Sequence, residues 1–471
     1  MLQSATPVIP RALVPEVLPV VMPEVPAVPG VLPAPLPELV LPAQLPADLP
    51  AEGHAALAAA LAGTLPGRRR EPGDLVQAAG PACWDEAERA RLLRFLEAVD
   101  DPRDPRGRVY PLSYLLALPL AAGMAGDDET DAAGEWAASA PEELLIRLGA
   151  PRDRAGRARR PDAATLGRIL ARVDQVQYDD ALCSWAAARA RAQQPGLRKH
   201  LCVDGKALRG ARRDGRTPML LSGVWDDGTT AAQLPVQKKT NEIPVFRQLL
   251  GKIPDEELKD AVITADQMHT QRKHARLIRR KQGHFVFTIG ENQPKLYAAA
   301  DALCWESFAV EAWTADRGHG RIDVRTIKTL PPTPQISALF PHVAQVFLVE
   351  RYSYGTDGSL LSAVAVLGVT SLPPGQAGPG DLLAYSRGHW AIEMHHYVRD
   401  VCLGEDASRV SRAHQARAAI RNTVIGILHL HRIPSIAAQL RINHRDPYRL
   451  PLQLLGLTRP QAPLTRNPAV T

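Results

Sequence analysis

The sequence predicts a mixed α/β core, preceded by an all-helical segment and interrupted by a β-rich insertion. Three observations carry this. Between residues 84 and 193, apolar residues recur at helical spacing and are broken by Pro/Gly loops. From residue 199 onward, short apolar runs ending at Asp204 and Asp266 alternate with helix-length segments. Between 301 and 378, strand-length runs are separated by turns such as PPTP and LPPGQAGPG, after which helical patterning returns.

With 471 residues the chain has room for two or three domains. Its formal charge is +6 and its pI about 9.1. A basic balance puts nucleic acid first among partners to consider. The excess of arginine over lysine suits phosphate contacts, and a GC-rich genome would give the same bias. Five scattered cysteines, Cys83, Cys183, Cys202, Cys304 and Cys402, form no CxxC pair, which argues against a disulfide framework and a zinc module. No apolar run reaches membrane-spanning length, and the N-terminus lacks the pattern of a secretion signal.

In chain order, residues 1–75 read as a disordered tail: the first 50 residues hold 13 prolines, which forbid regular structure. Partner binding and an over-extended start both account for it. The Arg68–Arg70 cluster is a phosphate candidate or simply a solvated run. Residues 82–193 read as a helical domain opening at Asp85, a helix cap with Glu86 and Glu88 in the first turn. Further helices are expected over 112–124, 132–139, 141–148, 165–173 and 178–193. Residues 196–300 form the first part of the core. Strand 200–203 ends at Asp204, and a hairpin turns at Asp226-Asp227-Gly228. A helix spans 244–250, strand 261–264 ends near Asp266, helix 270–280 follows, and then strand 284–289. The β-rich insertion covers 301–378. Residues 379–435 complete the core with a helix around Glu393 and another over 415–431. Residues 436–471 read as a tail, loose from Pro447.

The chemistry rests on carboxylates. Phosphodiester cleavage needs an activated oxygen nucleophile and neutralisation of the leaving oxygen, and two divalent ions held by carboxylates supply both. Asp204 and Asp266 follow strands, where α/β ligand sites gather, and Glu393 lies on a late helix. Fifty acidic residues make two aspartates after strands unremarkable alone. His389, His395 and His396 could be read as a zinc cluster, but neighbouring helical histidines point apart, so surface or packing roles are expected. Trp390 and Ile392 read as core.

Six motifs in order raise the carboxylate reading: VDGKALRGA (203–211), KKTNEIPVFRQLL (238–250), ITADQMHTQ (263–271), ENQP (291–294), RGHGRIDVR (317–325) and RGHWAIE with HHYVRDVCLGEDASRV (387–410). Together with FLEAVDDPRDPRGRVYPLSYLLALPLAA (95–122), the chain resembles the ISAs-type, or H-repeat-associated, insertion-sequence transposases of the DDE superfamily over roughly residues 84–435. The resemblance implies an RNase H-like core whose triad is Asp204, Asp266 and Glu393, with two Mg²⁺ or Mn²⁺ ions. It implies double-stranded DNA as partner (terminal inverted repeats and target), a homodimer on that DNA, and a bacterial cytoplasm, nucleoid-associated. Lys206, Arg209, Arg387 and Arg409 fall on basic motif positions, where phosphate contact and a structural salt bridge both remain open. The chain departs from the pattern at Met394, Gly290 and Asp323. His389 and Asp400 stand where the Tyr-Arg-Glu-Lys signature has arginine and lysine. An inactive DNA-binding relic and a stand-alone nuclease are the alternatives.

Overall fold

Asp85 opens the first helix as expected: its carboxylate accepts from the Glu88 N–H at 3.1 Å, capping α1 (Glu86–Glu97). The computed structural model describes residues 82–127, 129–193, 200–236, 242–318, 320–409 and 412–460, with isolated residues nearer the termini. The Arg68–Arg70 cluster and almost all of the expected 1–75 tail lie outside the described residues. By contacts the chain divides into two units, Arg70–His284 with Arg387–Thr471, and one holding Phe285–Ser386.

In the first unit α1 is followed by α2 (Leu112–Ala125), α3 (Thr130–Ser139), α4 (Glu142–Arg147), α5 (Ala163–Arg172) and α6 (Gln175–Gln193). Every residue of α2 is buried, as an all-apolar helix demands. These helices do not enclose a core of their own. Tyr114, Leu116, Leu166 and Trp185 share one apolar cluster with Ile420, Val424, Leu450, Leu454 and Leu457 from the C-terminal end.

Strand β1 (His200–Ala207) pairs antiparallel with β2 (Met219–Trp225), which pairs antiparallel with β3 (Thr230–Val236). The β2–β3 turn carries Gly228 at φ +82°, where the His429 ring leaves no room for a Cβ. After α7 (Glu242–Lys252), β4 (Val262–Ala265) returns parallel to β1. Helix α8 (Arg272–Arg280) follows. The local sheet order is therefore β3-β2-β1-β4. Asp204 does not end its strand as expected. Pairing with β2 carries β1 on to Ala207, so Asp204 sits where the parallel β1–β4 register stops and the antiparallel one continues.

In the second unit β5 (His284–Thr288) pairs antiparallel with the last residues of a meander. That meander comprises β6 (Ala312–Gly318), β7 (Arg321–Leu330), β8 (Gln345–Gly355) and β9 (Leu360–Thr370). Ile322, Val324 and Tyr354 form an apolar cluster on it.

The first unit resumes with α9 (Trp390–Val401) and α10 (His414–Leu430), then α11 (Ile436–Arg445) and α12 (Leu450–Leu454). The tail expected to be loose from Pro447 is instead packed as far as the described residues run. Leu450, Leu452, Leu454, Leu455 and Leu457 are buried, and Thr458–Pro460 pairs with Ala82–Trp84. Proline there starts a short helix rather than preventing one.

Candidate active site

The parallel register Val203↔Ala265 makes Asp204 and Asp266 the next residues on two neighbouring strands, whose backbones run about 4.8 Å apart. Asp266 is exposed and caps the short turn after β4, accepting from the Gln267 N–H at 2.6 Å. Asp204 is half-buried. Helix α9 is seated on β1 by Ile392, which packs on Cys202 and Val224.

Helical geometry then sorts the motif. At 3.6 residues per turn, His389, Glu393 and His396 fall along one side of α9. His396 Nδ1 lies 3.5 Å from Asp204 Oδ2. Burial holds the His396 imidazole below its ordinary pKa, so the ring is neutral at neutral pH and donates to Asp204. For Asp204, burial pushes the pKa up, but the His396 bond, the Gly205 N–H and the nearby His389 outweigh it, and the carboxyl stays below its usual range. His389 Nδ1 is 3.0 Å from Thr264 Oγ1, which is 2.8 Å from His200 Nε2. Burial lowers the His389 pKa against the opposing pull of Asp204 and Asp266, so this ring sits within the field of both aspartates. Glu393 is exposed, midway between the two histidines.

Asp204 and Asp266 thus lie side by side at the end of the β1–β4 pairing, and Glu393 lies on the side of α9 that carries His389 and His396. Among the described residues no set of three His, Cys, Asp or Glu side chains is close enough to grip a metal ion. The donor chemistry nonetheless fits a hard divalent cation. Two aspartates on adjacent strands offer only oxygen ligands, and such ions keep several waters beside one or two carboxylates.

Lys206 is buried, and its Nζ donates to Asp400 at 2.7 Å with Glu405 at 4.0 Å. Of the two roles expected for it, the salt bridge is the one formed. Asp400, standing where the broader signature has lysine, therefore meets a lysine supplied by β1. Arg209 and Arg409 are exposed, and Arg387 is half-buried at the end of helix Pro379–Gly388. Trp390, expected in the core, is exposed, whereas Ile392 is buried. The two lie about 160° apart around the helix.

Sequence reasoning missed Glu242. Its carboxylate presses on the backbone of Gly205, where a Cβ would come within 2.3 Å of Oε1, and lies 3.4 Å from His269 Nε2. A fourth acidic group therefore borders Asp204. The readable signal was its place in the TNEIP motif beside the glycine of VDG.

Two aspartates at neighbouring parallel strands, with a glutamate-bearing helix packed over them, are the geometry of this site. The family profile "Transposase DDE domain" matches residues 195–427, and "DDE_Tnp_1-associated" matches 93–186, together more than half the chain. The chain belongs to the DDE transposase family, alongside the H repeat-associated proteins. YncI of Escherichia coli O157:H7, which carries a provisional transposase name, is 24% identical over 72% of this chain and 87% of its own length. The H repeat-associated YhhI of Escherichia coli K12 is 22% identical over 56% of this chain and 72% of its own. A piggyBac transposase synaptic complex with hairpin DNA covers 81% of this chain and 83% of that one, at 12% identity and a TM-score of 0.37, too low to define a shared fold. Among the described residues no helix is long and apolar enough to cross a membrane.

Proposed function

We propose that this chain is a DNA transposase that hydrolyses the phosphodiester at a mobile element's ends and transfers the freed 3′-OH into target DNA. The observation that supports the reading is the Asp204–Asp266 pair at the ends of adjacent parallel strands; we read α9, which packs over β1 through Ile392, as bringing Glu393 to the same side. We read the β3-β2-β1-β4 sheet as the RNase H-like core. Asp204, Asp266 and Glu393 would hold Mg²⁺ or Mn²⁺, two ions in the full site, which when bound neutralise charge on the oxygens of an in-line displacement. His396 orients Asp204 and keeps one carboxylate edge turned outward. His389, through its bond to Thr264, braces β4 two residues before Asp266. Duplex DNA, as terminal repeats and as target, is the partner, and a homodimer on DNA is the working assembly.

The test is cleavage of a labelled duplex carrying the repeats that flank the gene, in Mg²⁺. Asp204→Asn, Asp266→Asn and Glu393→Gln should each lower cleavage by roughly a thousandfold or more, as expected when charge-stabilising groups leave a phosphoryl-transfer site. Binding of the same duplex in EDTA should persist. Undiminished cleavage in any variant removes that residue from the site. Repeat-specific binding without nicking by the unmutated protein returns the relic reading.

A further inference from the structure

The outer face of α9 carries four large apolar side chains in the open: Trp390 (54% exposed), Met394 (38%), Tyr397 (55%) and Val401 (60%). Their spacing places them within an arc of about 60° over three turns, with Glu393 at its edge. Most of the large hydrophobics exposed among the described residues lie on this one face. A helix that buries Ile392, His395 and Arg399 on its other side has no packing reason to display an aromatic stripe beside a carboxylate.

We propose that this face is a stacking platform for unpaired bases of the DNA strand whose phosphodiester reaches Asp204, Asp266 and Glu393, an inference that rests on the transposase reading above. Three points select bases as the occupant. The stripe is about 16 Å long and roughly 10 Å wide, far short of the ~800 Å² per partner of a stable protein interface. A second copy seated there would also cover Glu393. The charge is complementary: α9 ends at Val401 and leads into the 402–409 loop, which bears exposed Arg409. The turn bearing exposed Arg209 packs on that loop, the Gly210 Cβ position lying 2.2 Å from Ser408 O. A nucleotide strand lying along α9 would thus have its cleavable phosphate at the carboxylates, bases on Trp390 and Tyr397, and a later phosphate at the guanidinium groups. Aromatic stacking tolerates any base because every base has a π-face.

The full-length protein is titrated in EDTA with a labelled short oligo(dT) and, separately, with a blunt duplex. Trp390→Ala and Tyr397→Ala should each weaken oligo(dT) binding roughly tenfold while duplex affinity holds. Trp390→Phe and Tyr397→Phe should restore most of the loss, and all four should melt like the parent because the side chains are exposed. Oligo(dT) binding unchanged in both alanine variants overturns the platform. So does a DNA-free dimer that becomes monomeric in Trp390→Ala, which would assign the face to a second copy. Because no cleavage is read, a protein that stacks oligo(dT) here yet never nicks its repeats refutes the transposase reading and leaves the platform standing.

Discussion

Residues 387–409 build two regions of opposite character from one short run. Outward, α9 presents Glu393 among exposed apolar side chains. Inward, the same helix and the loop after it assemble a buried ionic cluster. Arg399 Nε and Nη2 donate to the two Glu405 oxygens at 2.9 and 2.8 Å, and Arg421 Nη1 donates to the same carboxylate at 3.3 Å. Gln233 Oε1 accepts from Arg399, Asn422 and Ser222, tying the cluster to β2 and β3. Arg417 and Arg421 reach on to Glu129. Charge in a motif is therefore no sign of contact with substrate. Half of this motif holds the helix so that the other half stays exposed.

The two regions should part under mutation. Changes to the outward carboxylates should cost activity and almost no stability, because Asp266 and Glu393 are exposed. Glu405→Gln should cost about 3–5 kcal/mol, since it leaves the buried Arg399 without its counter-charge and Arg421 with the longer contact to Glu129. Burial raises the Glu405 pKa, but Arg399, Arg421 and Lys206 more than reverse this, so its folded pKa is depressed. Its stabilisation is therefore present above the unfolded pKa and is lost as pH falls through the folded one. Urea unfolding of Glu405→Gln beside Glu393→Gln checks the contrast. A Glu405→Gln protein as stable as the parent but inactive would move Glu405 into the site.

A smaller effect sharpens the picture of the inner region. Asp179 on α6 is buried beside Gln233, whose Nε2 donates to it at 3.4 Å. Burial first, then the neighbouring Asp180, push its pKa up to about 8. The folded protein thus keeps a proton that the unfolded chain releases near pH 4. Stability falls as pH rises through that window, by about 1.4 kcal/mol per unit, and levels off above pH 8. His200 and His274, both pushed down to about 4 by burial, and His395, pushed down to about 3, act oppositely and only below the ordinary imidazole pKa. Between pH 6.5 and 8 the slope then belongs to Asp179. The parent should lose roughly 2 kcal/mol there, and Asp179→Asn much less, read from urea midpoints at the two pH values. Equal slopes would mean that Asp179 is ionised inside the fold.

Much of this was legible in the sequence. The Asp85 cap, the hairpin at Asp226–Gly228 and the placing of Asp266 after a strand follow from local rules, which act over a few residues. The end of β1 was not legible, because it is set by pairing with β2 rather than by residues near Asp204. Trp390 was misplaced because helical spacing fixes which residues share a face but not which face meets the sheet. The role of Lys206 and the place of Glu242 depend on partners 194 and 37 residues away in sequence. The packing of Leu450–Leu457 was hidden by prolines that, at a helix start, are permissive.

The smallest effect bears on the border between the two regions. Arg209 has a 79% exposed side chain and lies 3.7 Å from Asp406, an exposed pairing that holds little energy. Arg409 is exposed on the same loop, which Gly210 and the Glu405 and Ser408 carbonyls lock against β1's end. Closely packed backbone beneath exposed guanidinium groups suits phosphate contact. Arg209→Ala and Arg409→Ala should each change stability by less than about 0.5 kcal/mol. Each should also reduce the slope of log affinity for duplex DNA against log salt by about 1. Lys206→Ala, by contrast, should lower stability and leave the salt slope alone, because its ammonium is already committed to Asp400. Filter binding across a salt series reads all three. An unchanged slope in both arginine variants would mean that these side chains are merely solvated, and that the proposed DNA contact ends before Val401 rather than after it.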